Sequence, residues 1–145
     1  MRLCVSLITK HHPTKKLHMN ENQLATIIVQ KGYEIYQQLG PGLLESTYQR
    51  VLAYELRLEK LKLQTEHPIP LIWKGHCLEN SFRADIIVNN SVLIELKSLE
   101  KVQPVHAKQT LTYLRLTNLK LGLLINFGAS SYNKAVKRIV NGLED

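Results

Sequence analysis

The chain has 145 residues, 44% of them hydrophobic and 21% charged, which is the size and composition of one globular domain. Its apolar runs, such as Ile86 to Val88 and Leu121 to Ile125, fall far short of the ~20 residues that cross a bilayer as a helix. Glycine periodicity, sustained heptads and an excess of charge over hydrophobicity are missing too, so membrane-helical, collagen, coiled-coil and disordered classes are excluded.

The formal net charge of +7 is unevenly spread. Residues 1–18 carry Arg2, Lys10, Lys15 and Lys16 with no acid, which leaves only a mild basic excess for the rest of the chain. A polyanion partner is therefore weakly signalled by charge alone. The two cysteines, Cys4 and Cys77, belong to no Cys-x-x-Cys or Cys/His ligand pattern, so a reducing cytoplasm is expected, without a zinc site or disulfide framework. The start imitates a signal peptide only faintly, since Cys4 and Ser6 interrupt its apolar run and no small-residue cleavage site follows.

Residues 1–18, with His11-His12-Pro13 and no usable periodicity, are expected to form a disordered basic extension. Met19 is a second candidate start. Asn20 with Gln23 reads as a capping box, and Leu24, Ile27, Ile28, Ile35 and Leu39 recur at helical spacing. Gly40-Pro41-Gly42 ends this first helix, and a second is expected from about Leu43 to Lys60, with Leu44, Tyr48, Val51, Leu52 and Leu56 as its apolar stripe.

Past Pro68 and Pro70 the pattern shortens to strands at Ile69 to Trp73, Ser81 to Val88 and Val92 to Lys97, punctuated by Lys74-Gly75 and Asn89-Asn90. Pro104 suits the first turn of a third helix over about 105–117, with Ala107, Leu111 and Leu114 buried. The nearly all-apolar Leu119 to Phe127 reads as a strand covered on both faces. Ser131 to Leu143 reads as a closing helix. The expected order is α-α-β-β-β-α-β-α.

Ionisable residues inside apolar strands need a reason, because burying an unpaired charge costs several kcal/mol. Asp85 stands in Phe82 to Val88, and Glu95 and Lys97 stand on one face of Val92 to Lys97. An Asp, a Glu and a Lys converging on a sheet is what a divalent-metal phosphodiesterase requires: carboxylate oxygens hold Mg²⁺ while an ammonium orients the nucleophile and offsets developing charge. A Glu-x-Lys triplet alone is weak, arising about once in two chains of this length. Gln109 and Tyr113 add to it by sharing one face of the third helix, placed opposite or oblique to the Ala107, Leu111, Leu114 stripe, where amide and hydroxyl can orient a phosphate or the Lys97 ammonium. His106 joins that face, though a capping or surface role suits it better. Glu45 and Tyr48 share a face of the second helix, Glu45 near its positive end.

The run Gly42-Leu43-Leu44-Glu45-Ser46-Thr47-Tyr48 resembles the motif that names the GxxExxY proteins. Arg83-Ala84-Asp85, Ile94-Glu95-Leu96-Lys97, Gln109 to Tyr113-Leu114 and Gly122 to Gly128 resemble the rest of that family in order and spacing, with Ala84 where a proline is common. The match covers about residues 20–140. That family is placed in the PD-(D/E)xK nuclease-like superfamily, which implies an α/β, restriction-endonuclease-like mixed sheet flanked by helices over residues 19–145. It further implies Glu45, Asp85 and Glu95 as metal ligands with the backbone carbonyl of Leu96, a catalytic Lys97, and support from Gln109 and Tyr113, as in exonuclease-like branches with Gln-x-x-x-Tyr. Glu45 would act through a second metal or a water.

The expected function is hydrolysis of phosphodiester bonds in nucleic acid, DNA first, with Mg²⁺ or Mn²⁺, without a membrane partner and with the oligomeric state open, a homodimer included. The rival is a non-catalytic nucleic-acid or protein interaction module that keeps the fold. Lys74, Arg83, Lys101, Lys108 and Arg115 are candidates for tracking a backbone, without the aromatic interleaving of a base-stacking platform.

The hairpin register is a sharp expectation. A plain two-residue turn at Asn89-Asn90 sets Asp85 and Glu95 on opposite faces, whereas one extra unpaired residue, in a three-residue loop or a bulge, sets them directly opposite each other on one face.

Overall fold

The computed structural model describes residues 18–144; the expected extension and its histidines therefore fall, but for His18, outside the described residues. Helix α1 (Glu21–Leu39) opens on the expected capping box: Gln23 N–H donates to Asn20 Oδ1 at 2.9 Å, and Asn20 N–H donates to Gln23 Oε1 at 2.9 Å. Gly40 ends it at φ 64, a left-handed value that a side chain disfavours. Helix α2 (Glu45–Leu58) follows. Lys31 of α1 ties the two together, reaching Glu59 at 3.3 Å and Glu55 at 3.8 Å.

Strands β1 (Leu63–Trp73), β2 (His76–Val88) and β3 (Val92–Lys97) form an antiparallel meander. Helix α3 (Pro104–Thr117) crosses over to β4 (Leu121–Asn126), which lies parallel to β3. The sheet is mixed and five-stranded, in the order β1-β2-β3-β4-β5.

Two expectations are corrected here. The closing helix over Ser131 to Leu143 is instead a four-residue helix α4 (Tyr132–Ala135) and a strand β5 (Val136–Val140), antiparallel to β4. All six residues of β4 are buried, so an unpaired second edge would bury backbone donors and acceptors without partners. That requirement overrides the helical spacing of Tyr132, Val136, Val140 and Leu143. The first strand begins at Leu63 rather than Ile69, running through Pro68 and Pro70, because β1 is an edge strand where a missing N–H costs no ladder bond.

Strand alternation divides the core. Ile86, Val92, Ile94, Leu96, Leu123 and Ile125 pack with Leu24, Ile28, Tyr48 and Leu52 of α1 and α2. Ile87, Leu93, Leu124 and Ile139 pack on the other side with Tyr113 and Leu114 of α3. Each layer removes apolar surface from water at roughly 25 cal/mol per Å², and Glu95 and Lys97 stand on the α3 side.

Candidate metal and catalytic site

The turn after β2 decides the site. Asn89 and Asn90 both take left-handed backbone, φ 49 each, and Ser91 N–H donates to Val88 O at 2.9 Å. The Asn pair thus makes the tight turn its side chains favour. Yet Val88 pairs with Val92, Ile87 with Leu93 and Ile86 with Ile94, so Ser91 is left unpaired and the loop is effectively three residues long. The next row is Asp85 and Glu95, and they share a face.

At that row the ladder stops and the side chains take over. Asp85 N–H donates to Glu95 Oε1 at 3.3 Å, and Leu96 N–H donates to Asp85 Oδ2 at 2.7 Å. Each carboxylate therefore fills the fork between the parting strands by accepting an N–H from the opposite one. Phe127 N–H donates to Lys97 O at 2.9 Å, so Lys97 turns its backbone groups to β4, and strand alternation turns those of Leu96, carbonyl included, to the β2 side beside Asp85.

Glu95 is only 6% exposed. Burial first, and the neighbouring Asp85 charge second, push its carboxyl up to about 8, against the pull of the Asp85 N–H and Lys97. Asp85 is also raised, chiefly by burial, with the Leu96 N–H and Lys97 opposing. Two carboxyls this close in a partly dry fork cannot both ionise cheaply unless a cation joins them. Half-buried Lys97 supplies part of that charge from nearby, with no ion pair within 4.0 Å to either carboxylate among the described residues.

Gln109 Nε2 donates to Tyr113 Oη at 2.9 Å, as their helical spacing suggests. Tyr113 does not stand off the apolar stripe, however: it is buried at 6% exposure, packs on Phe82 with ring centroids 5.5 Å apart, and belongs to the same cluster as Leu114. Its hydroxyl pKa is raised by burial first and then by the charges of Glu95 and Asp85. His106 caps α3, its Nδ1 accepting from Gln103 N–H at 3.0 Å.

Glu45 is exposed at the start of α2. Its charge contributes to raising both site carboxyls, yet no group of three or more His, Cys, Asp or Glu residues with metal-holding geometry exists among the described residues. The structure thus joins Asp85 and Glu95 and leaves Glu45 apart. Tyr48 fixes the turn that carries Glu45: its hydroxyl donates to Gly40 O and accepts from Leu43 N–H at 3.2 Å, and its ring stacks on Phe127 at 4.4 Å and 5°. Ser98 Oγ donates to Leu43 O at 2.6 Å, lacing that turn to the end of β3.

Two supports went unread in the sequence. Asn126, 2% exposed, accepts from Leu99 N–H at 2.9 Å and Gly128 N–H at 3.1 Å and donates to Leu99 O at 2.8 Å. Gly128 lies so close to Leu99 that an added Cβ would meet its backbone nitrogen at 2.6 Å. The only sequence signal for either was a polar residue and a glycine closing an otherwise apolar strand.

An α/β sheet with helices on both faces, a carboxylate pair at a strand fork and a lysine one step beyond make a restriction-endonuclease-like fold. A family model described as the PD-(D/E)XK nuclease superfamily matches residues 22–139, and the chain belongs to that superfamily. Among curated proteins none matches. Among solved structures, the crystal structure of SSO0001 is similar at 18% identity and a TM-score of 0.42, covering 83% of this chain and 79% of that one. No described helix is long and apolar enough to cross a membrane.

Proposed function

We propose that this protein is a metal-dependent nuclease of the GxxExxY branch, hydrolysing phosphodiester bonds in nucleic acid, DNA first. The observation that carries the reading is the pairing of Asp85 with Glu95 on one face, achieved by leaving Ser91 unpaired. A sheet gains nothing in stability from two carboxyls raised by their own burial and proximity.

The residues present suit a hard divalent cation. Mg²⁺ asks for one or two carboxylates and keeps water and phosphate oxygens as its remaining ligands, so Asp85, Glu95 and the Leu96 carbonyl suffice without a third acid. Bound there, Mg²⁺ or Mn²⁺ supplies Lewis-acid polarisation of the scissile phosphate and eases water deprotonation. Lys97 orients the attacking water and offsets the negative charge that grows on the phosphate as the new P–O bond forms and the ester P–O bond breaks. Tyr113, held by Gln109, orients a phosphate oxygen or the Lys97 ammonium. Glu45, exposed at the start of α2 and apart from the carboxylate pair, would act only through a second metal or a water.

The test is cleavage of labelled single-stranded and duplex DNA and RNA with Mn²⁺, with Mg²⁺ and with chelator. Strand scission that requires the metal and disappears in Glu95→Gln is expected. Tight nucleic-acid binding without scission in any metal condition would replace the enzyme by a binding module on the same fold.

A further inference from the structure

Two hollows that share Lys101 and Lys134 open beside the N-terminus of α3. One, of about 510 Å³, is also lined by Pro104, Leu124 and Lys137; the other, of about 640 Å³, is also lined by Glu100 and Asn126. Lys101, Lys134 and Lys137 are all exposed and make no ion pair within 4.0 Å among the described residues. Glu100 is the single acid on these walls. The positive end of the 14-residue α3 faces the same opening.

The sheet register ties this cleft to the carboxylates. Glu95 pairs with Leu124, and Leu124 pairs with Lys137. Paired residues stand on one face, so Glu95, Leu124 and Lys137 form a row across three strands, with Lys137 two strand spacings, or about 10 Å, from Glu95. Leu124 is the floor between them.

We propose that this cleft is the subsite for substrate phosphates flanking the scissile bond, with Lys101, Lys134 and Lys137 holding consecutive phosphates of the nucleic-acid strand under attack. The proposal rests on the nuclease reading above and adds where the strand runs. Lysines spaced along open, adjoining hollows suit a repeating polyanion, because each contributes by releasing a counterion and needs no fixed geometry. A single small anion would call for a closed cage of donors.

The experiment uses the full chain in chelator, with binding of a fluorescein-labelled DNA oligonucleotide read by anisotropy across a salt series. Lys101→Ala/Lys134→Ala/Lys137→Ala is expected to bind at least tenfold more weakly at about 0.1 M salt, with a log K against log salt slope shallower by about two. Lys137→Glu alone should weaken binding in the same direction. Mn²⁺-dependent hydrolysis of bis(p-nitrophenyl) phosphate, which has no flanking phosphates, should be unchanged. Equal affinity and slope in wild type and a folded triple variant would overturn the subsite. The anisotropy needs no turnover, so a protein that binds through these lysines but cleaves neither substrate keeps the cleft as a phosphate-binding track for nucleic acid and overturns the nuclease reading alone.

Discussion

Asn126 clasps Leu99 by both ends of its amide, taking the Leu99 N–H at 2.9 Å and giving to its carbonyl at 2.8 Å. Lys97 is the register partner of Asn126, so the clasp fixes the chain just after the site lysine. Asn126→Ala leaves partly buried backbone groups of Leu99 and Gly128 without partners, each costing about 1–3 kcal/mol. The expected loss is about 3 kcal/mol by chemical denaturation. A loss below about 1 kcal/mol would show that water replaces the clasp.

Lys97→Ala should abolish metal-dependent cleavage while the fold stays intact, because in the proposed mechanism the half-buried ammonium acts on charge that develops in the transition state and packs little surface. Circular dichroism and turnover on one preparation check this. Unchanged turnover removes Lys97 from the mechanism.

Asp85→Asn should weaken Mn²⁺ binding and raise the thermal stability of the metal-free protein. The substitution keeps an acceptor for the Leu96 N–H and removes one of two crowded carboxyls. Calorimetric titration that finds wild-type Mn²⁺ affinity in Asp85→Asn would refute the ligand assignment.

The pH dependence follows from Glu95, whose carboxyl is raised from 4.5 to about 8 in the folded chain. Between those values the native state binds more protons than the unfolded state, so the stability this group contributes is whole below 4.5 and is lost as pH rises through about 8. Metal-free protein should therefore melt at lower temperature as pH increases across that window. Glu95→Gln should flatten the fall and be the more stable protein at the upper end by about 2 kcal/mol. A wild-type profile that matches the variant's would mean that Glu95 is ionised throughout.

Much of this was readable from local chemistry. The capping box at Asn20 and Gln23, Pro104 in the first turn of α3 and the Val92–Lys97 strand all depend on residues within a few positions of one another. The hairpin register was readable because only one of two loop lengths brings Asp85 and Glu95 to the same face. Strand β5 was not, since its conformation answers the open edge of β4 rather than its own spacing. The burial of Tyr113 has the same origin: Gln109 and Tyr113 share a helix face, but Phe82 on a distant strand covers the ring. The Asn126 and Gly128 supports depend on Leu99, 27 and 29 positions away, and no local pattern encodes that approach.

The unpaired Ser91 also bears on how the chain assembles. Asp85 and Glu95 are joined by a single turn and a few ladder pairs, so the contact closes a short loop at small cost in chain entropy, on the microsecond scale of hairpin formation. Gln109 and Glu45 come from elements far along the chain and require the whole sheet first. The electrostatically unfavourable contact is thus built early and its surroundings late, so the β2–β3 hairpin has to form with two carboxyls facing each other before the rest of the sheet and α3 enclose them.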